Sequence, residues 1–170
     1  QRRSYRGLLR MVASDASTWV VNELPMEQYL RGVVPRESPA SWADMGGGKG
    51  AEALKAQAVA ARSYAWAENR SALFKTCDTT SCQVYGGAGL NGTRIEDTRS
   101  DAAIAATAGE VRMKDGAVAR TEFSSSTGGW TAGGTFSAVE DTGDDVESNP
   151  NHNWTADIPV ATIETAFPDL

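Results

Sequence analysis

Three short segments present polar side chains on glycine-rich or proline-braced backbone, where a rigid scaffold can hold them toward a ligand. The first is Arg36-Glu37-Ser38, between Pro35 and Pro39. The second is Gln83-Val84-Tyr85-Gly86-Gly87, and the third is Ser124-Ser125-Ser126-Thr127-Gly128-Gly129. The serines suggest a nucleophile, but a serine triad needs a histidine base, and the sequence has one histidine, His152, in a distant loop. Cys77 and Cys82 are too close together to be read as catalytic thiols before simpler options are weighed: a disulfide, half of a metal site, or two independent thiols. Two-metal chemistry lacks a histidine and carboxylate cluster. A single carboxylic acid is the simplest remaining catalyst, and Glu37 is its candidate, although an ordinary exposed glutamate would look the same from spacing alone.

The elements that must position these residues follow from periodicity. Residues 4–12 and 18–24 are strand-like, and Ser14-Asp15-Ala16-Ser17 between them predicts a hairpin. Pro25 opens a short helix with Met26, Tyr29, Leu30, Val33 and Val34 at helical spacing, and Pro35 is expected to end it, leaving Glu37 on a turn. The glycine-rich run Met45–Gly50 reads as a loop, without the lysine-hydroxyl ending of a phosphate-binding loop. Residues 51–69 are alanine-rich and predict a long helix with Leu54, Ala58, Ala61 and Ala65 as its buried stripe. Gln57 and Arg62 lie at the edges of that stripe, able either to reach a cleft or to remain a solvated flank. Residues 71–98 look irregular. A second helix is expected over 97–107, and Asp115-Gly116 predicts a hairpin turn between 110–114 and 117–124. A short helix near 161–166 closes the chain. Strands and helices interleave without a βαβ rhythm, so the fold class is α+β: one domain over 1–170, with a long buried helix, β-hairpins and a loop-lined groove.

The formal net charge of −6 argues against a nucleic-acid partner, which would need a dense basic footprint. Short basic clusters (Arg2, Arg3 and Arg6; Arg31 and Arg36) still allow a local positive groove. No apolar run approaches the roughly 18 residues needed to cross a bilayer. No leader is evident before the first strand, and the chain reads as a fragment of a longer one.

The run Tyr29-Leu30-Arg31-Gly32-Val33-Val34-Pro35-Arg36-Glu37-Ser38-Pro39 resembles the opening motif of the SpoIID/LytB family. Glu52 to Ala65 is similar to that family's long helix, and Gln83–Gly87 and Phe123–Thr131 resemble its two later motifs. The four occur in family order over roughly residues 3–155. The resemblance implies a peptidoglycan lytic transglycosylase, without cofactor, that cuts between muramic acid and glucosamine and leaves 1,6-anhydro ends. It favours glycan stripped of stem peptides by an amidase. It implies Glu37 as the catalytic residue. Arg36, Gln57, Arg62, Gln83, Tyr85, Ser125 and Ser126 are then the candidates to orient the glycan. The acid must enter protonated, and Val33, Val34, Pro35, Pro39 and Trp42 are the apolar residues available to surround it. Some relatives bind zinc near the Cys77–Cys82 region, but Ser81 stands here where a histidine would help, which puts a disulfide ahead of a metal. Ser124 likewise replaces a histidine of many relatives. A disulfide favours an extracytoplasmic, wall-associated protein. The alternative function is a non-catalytic glycan-binding module that stimulates a cell-wall amidase.

Overall fold

The computed structural model describes residues 2–14, 17–134, 136–153 and 155–168. They form two compact units, Gln1–Glu122 and Phe123–Leu170.

The first unit carries seven strands and three helices. In chain order they are β1 (Arg3–Ser4), β2 (Leu8–Ser14), β3 (Ser17–Glu23), α1 (Met26–Glu37), a 3₁₀ segment (Ala40–Gly48), α2 (Ala51–Ala67), β4 (Gly89–Leu90), β5 (Thr93–Arg94), α3 (Thr98–Ala106), β6 (Met113–Lys114) and β7 (Ala117–Val118). β2 and β3 pair antiparallel from Leu8↔Glu23 to Ser14↔Ser17, as their alternation predicts. The two central residues of that turn, Asp15 and Ala16, lie outside the described residues. β1, β4 and β5 form a small antiparallel sheet in that order. The β4–β5 hairpin, missed in the irregular reading of 71–98, turns on Asn91 and Gly92, both at positive φ. Its two-residue strands are too short to show alternation.

The core sits where α1, α2 and α3 meet. Leu30, Val33, Val34, Leu54, Ala58 and Ala61 are each fully buried, with Ile104 beside them at 2% exposure. Alanine gives α2 its helical propensity and is small enough for α1 and α3 to pack close. Asp97 caps α3, its carboxylate accepting the Arg99 N–H at 2.9 Å. Asp115 and Gly116 both take positive φ, as the predicted two-residue turn requires. The β6–β7 ladder is shorter than expected: beyond the Ala119 N–H bond to the Arg112 carbonyl at 2.8 Å, the Arg112 N–H turns to Ser63 Oγ of α2 at 2.9 Å, and the Thr121 hydroxyl adds a bond to the Ala60 carbonyl at 2.7 Å.

One local expectation needs correction. Pro35 does not end α1, which continues to Glu37 and closes with the Ser38 N–H on the Val34 carbonyl at 2.9 Å. Proline removes one helical N–H, and near the last turn that loss is tolerable. The Met45–Gly50 stretch is loop-like as expected: it interrupts the 3₁₀ segment with non-helical backbone at Met45, Gly46 and Gly47, the two glycines at positive φ.

The second unit is built around Asp144. Its Oδ2 accepts Ser126 Oγ at 2.7 Å, and the N–H groups of Thr127 and Gly128 at 2.6 and 2.9 Å. These bonds, the Ser126 hydroxyl foremost, lower its pKa to about 2. A short helix α4 (Val160–Ala166) follows, where one is expected.

Candidate active site

Glu37 is the last residue of α1 and is half-buried. Its Oε1 accepts the Val84 N–H at 2.7 Å, and its Oε2 has no hydrogen-bond partner among the described residues. The segment 83–86 lies along α1 and is fastened at three further points. Tyr29 Oη donates to Gln83 Oε1 at 3.1 Å, Gln83 Nε2 donates to the Ala61 carbonyl at 3.2 Å, and the Gly86 N–H donates to the Gly32 carbonyl at 3.0 Å. Gly32 makes that approach possible. A Cβ there would meet the Tyr85 ring at 2.6 Å and the Gly87 carbonyl at 2.8 Å. Backbone contact therefore sets the distance between Glu37 and its donor.

Pro35 and Arg36, immediately before Glu37, and Val84, which bonds it, line a groove of about 540 Å³. Arg3 and Arg94, brought in by β1 and the β4–β5 hairpin, complete its basic side, with the neutral Asn91 beside them. A second cavity of about 530 Å³ is lined by aromatic residues, among them Trp19, Tyr29, Trp66 and Phe74. Asp78 and Tyr85 line both cavities. Cys77 and Cys82 are joined as a disulfide, and Asp78 lies in the loop it closes.

Of the residues named from sequence, Arg36 and Tyr85 reach the groove beside Glu37. Tyr85 is mostly buried, its ring tilted against Tyr5 and Tyr29, and its hydroxyl donates to Asn22 Oδ1 at 2.7 Å. Burial pushes that phenol up to about 12, so it remains a donor at neutral pH. Gln57 is half-buried. Its Oε1 accepts Ser38 Oγ at 3.4 Å, and its Nε2 is buried without an acceptor among the described residues. Ser125 and Ser126 belong to the second unit, where Ser125 is exposed and Ser126 is bonded to Asp144.

Arg62 and Gln83 are corrections. Arg62 is 2% exposed. Its Nε and Nη2 grip the Glu27 carboxylate at 2.9 and 2.8 Å, and its remaining donors reach the carbonyls of Ala58, Ile104 and Glu110. Burial alone would raise the Glu27 pKa, but Arg62 and the Gly109 N–H hold it below the ordinary glutamate value. Arg62 therefore ties α1 to α2 and α3 and has no donor left for a substrate. Gln83, at 1% exposure, is likewise taken up by Tyr29 and Ala61. The apolar setting expected for Glu37 is also differently placed. Val33 and Val34 are in the core, Trp42 is 41% exposed, and Pro35 lines the groove.

Sequence reasoning missed Arg3, Arg94 and Asp78 as groove residues, and the Val84 N–H as the partner of Glu37. The Arg2-Arg3-Arg6 cluster was the available signal for the first.

A family profile described as SpoIID, Stage II sporulation protein, matches residues 14–113. An uncharacterised protein of Brachyspira hyodysenteriae is 37% identical over 131 residues, which is 75% of this chain and 32% of that protein. A protein of Bacillus subtilis named Amidase enhancer is 35% identical over 150 residues, 83% of this chain and 18% of that protein. The chain thus spans a third or less of the curated relatives it matches. No solved structure matches it.

Proposed function

Because the chain belongs to the SpoIID family, we propose that it engages bacterial peptidoglycan outside the cytoplasm and cuts its glycan as a lytic transglycosylase, with Glu37 as acid and base. The observation that carries this reading is one carboxylate held at the end of a helix, one oxygen fixed by the Val84 N–H and the other without a partner among the described residues, beside an open groove. An ordinary glycosidase needs two carboxylates. Intramolecular attack needs one. Oε2 of Glu37 donates its proton to the glycosidic oxygen as the bond to C1 of the muramic residue breaks. The 6-hydroxyl of the same residue then closes on C1 and returns its proton to the carboxylate. The product carries a 1,6-anhydro end and the acid is regenerated. The Val84 N–H keeps the carboxyl oriented through both transfers. Peptide-stripped glycan is the proposed substrate, and the Cys77–Cys82 disulfide supports an oxidising compartment.

The relative named Amidase enhancer favours a second reading, in which the chain binds glycan and stimulates a cell-wall amidase without cutting. One experiment separates the two. Purified glycan strands are incubated with the protein and with Glu37→Gln, and chain ends are identified by mass spectrometry. The transglycosylase reading expects anhydro ends with the native protein and a loss near the upper part of the 10²–10⁴-fold range with Glu37→Gln. Equal rates for both proteins would remove Glu37 from the chemistry. Binding without any new ends would leave the enhancer reading in its place.

A further inference from the structure

In a chain of net charge −6, arginines have no shortage of acidic partners, and most of the described ones take one. Arg6 pairs with Glu96, Arg62 with Glu27, Arg99 with Asp97 and Asp44, and Arg120 with Glu68. Among the described residues Arg2, Arg3, Arg36, Arg70 and Arg112 do not, and of these five Arg3 and Arg36 are the two that share a groove. Among the described residues Arg36 has no hydrogen-bond or ion-pair partner, and Arg3 has one contact, to the Tyr85 carbonyl at 3.5 Å. Both line the groove beside Glu37. Arg94 stands with them but is largely neutralised, 3.3 Å from Asp101 and 3.6 Å from Glu96. Asp78 is the acid among the lining residues, on the wall shared with the aromatic cavity.

We propose that Arg3 and Arg36 form a carboxylate site that reads whether a muramic residue has lost its stem peptide. The inference rests on glycan being the ligand, which both functional readings share. Neutral sugar hydroxyls give a protein no reason to collect unpaired guanidinium groups in one groove. The ionisable group that belongs to the sugar itself is the lactyl carboxylate of muramic acid. A stem peptide is joined through that group as an amide, which has no charge. Removing the peptide uncovers an anion, and two planar guanidinium forks are suited to receive it. Asp78, the acid among the lining residues, disfavours an anion on its own wall. Arg36 shares the groove with Val84, whose N–H holds Glu37, so the charge is recognised in the groove beside that carboxylate. Stem peptides carry carboxylates of their own, so the test must distinguish those from the lactyl group.

Glu37→Gln protein, which leaves strands uncut, serves as the parent for binding. Three end-labelled ligands are compared at low salt: stripped strands, stripped strands with their carboxyls converted to methylamides, and peptide-bearing strands. Stripped strands bind most tightly. Adding Arg3→Ala or Arg36→Ala weakens them by about three- to five-fold each, the range of an exposed ion pair, and high salt erases the difference. Methylamide strands and peptide-bearing strands bind weakly and respond little to either change. Both arginines are exposed, so the variants keep the fold, and Arg36→Lys, which retains charge without the fork, falls between. The inference is overturned if methylamide strands bind as well as stripped ones, if peptide-bearing strands show the same arginine dependence, or if no strand binds. Carboxylate discrimination without anhydro ends from the native protein would overturn the transglycosylase reading and leave this one standing. Anhydro ends without discrimination would do the reverse.

Discussion

Replacing Arg62 by Met keeps most of the side-chain length and removes every donor it carries. The losses can be taken one by one. The Ala58 carbonyl already accepts its own helical bond and loses little. The part-buried Glu110 carbonyl at 3.0 Å and the buried Ile104 carbonyl at 3.3 Å, which keeps only the long Thr107 contacts, each lose a charged donor, at about 1 kcal/mol. Glu27 is 39% exposed and keeps the Gly109 N–H, so water and that bond limit its cost to a further ~1 kcal/mol. The expected destabilisation is about 3 kcal/mol, at the low end for breaking a buried pair. Thermal unfolding of the first unit then moves down by roughly 10 °C. The pH dependence supplies a second readout. Arg62 holds Glu27 below its ordinary pKa, so its contribution is present above about pH 4.3 and is lost as the pH falls through the lowered value. In Arg62→Met burial, which raises the Glu27 pKa, is opposed by the Gly109 N–H and no longer by Arg62, so the variant is penalised at neutral pH and relieved in acid. The gap between the two proteins therefore narrows as pH falls from about 6 to 3. Denaturant titration at several pH values measures both effects. A variant as stable as the parent that no longer bound glycan would refute the assignment and return Arg62 to the substrate-binding set.

Two further outcomes follow from the site. Gly32→Ala drives a methyl group into the Tyr85 ring and the Gly87 carbonyl, so it costs about 1–3 kcal/mol and lowers any Glu37-dependent activity by more than its loss of folded protein; activity per folded molecule equal to the parent would show that the spacing is not critical. Thiol titration of the unreduced, unfolded protein finds no free cysteine, and reducing Cys77–Cys82 costs about 2 kcal/mol; two free thiols would remove the physical support for an oxidising compartment.

Alanine spacing made α2 and its stripe legible, and Asp115-Gly116 announced its turn, because both depend on neighbours in the sequence. Pro35 misled, since a proline in the last turn of a helix costs less than one in its middle. Arg62 and Gln83 misled for a different reason. A polar residue at the edge of a helical stripe looks the same whether it turns to solvent or to carbonyls forty residues away, and Arg62 finds Ile104 and Glu110. The partner of Glu37 is a backbone N–H, which no residue type encodes. Arg3 and Arg94 enter the groove through two-residue strands that leave no periodic trace. Asn91-Gly92 was a readable signal that its short flanks concealed.

The contact of Gly86 with Gly32 has a bearing on how this protein can be altered. Glycine at position 32 removes a side chain from the joint, so the clearance between α1 and the 83–86 segment is fixed by covalent geometry rather than by the fit of deformable groups. Trimming Leu54 or Ile104 lowers the melting temperature, whereas the Gly86–Gly32 bond joins backbone to backbone, and the same segment is tied to α1 and α2 through the Gln83 side chain. Thermal robustness and the seating of the carboxylate are thus separable where those ties are kept. A library of core variants selected for heat resistance can be searched without re-optimising the Glu37 end of α1, provided that Gly32, Tyr29 and Gln83 are held constant.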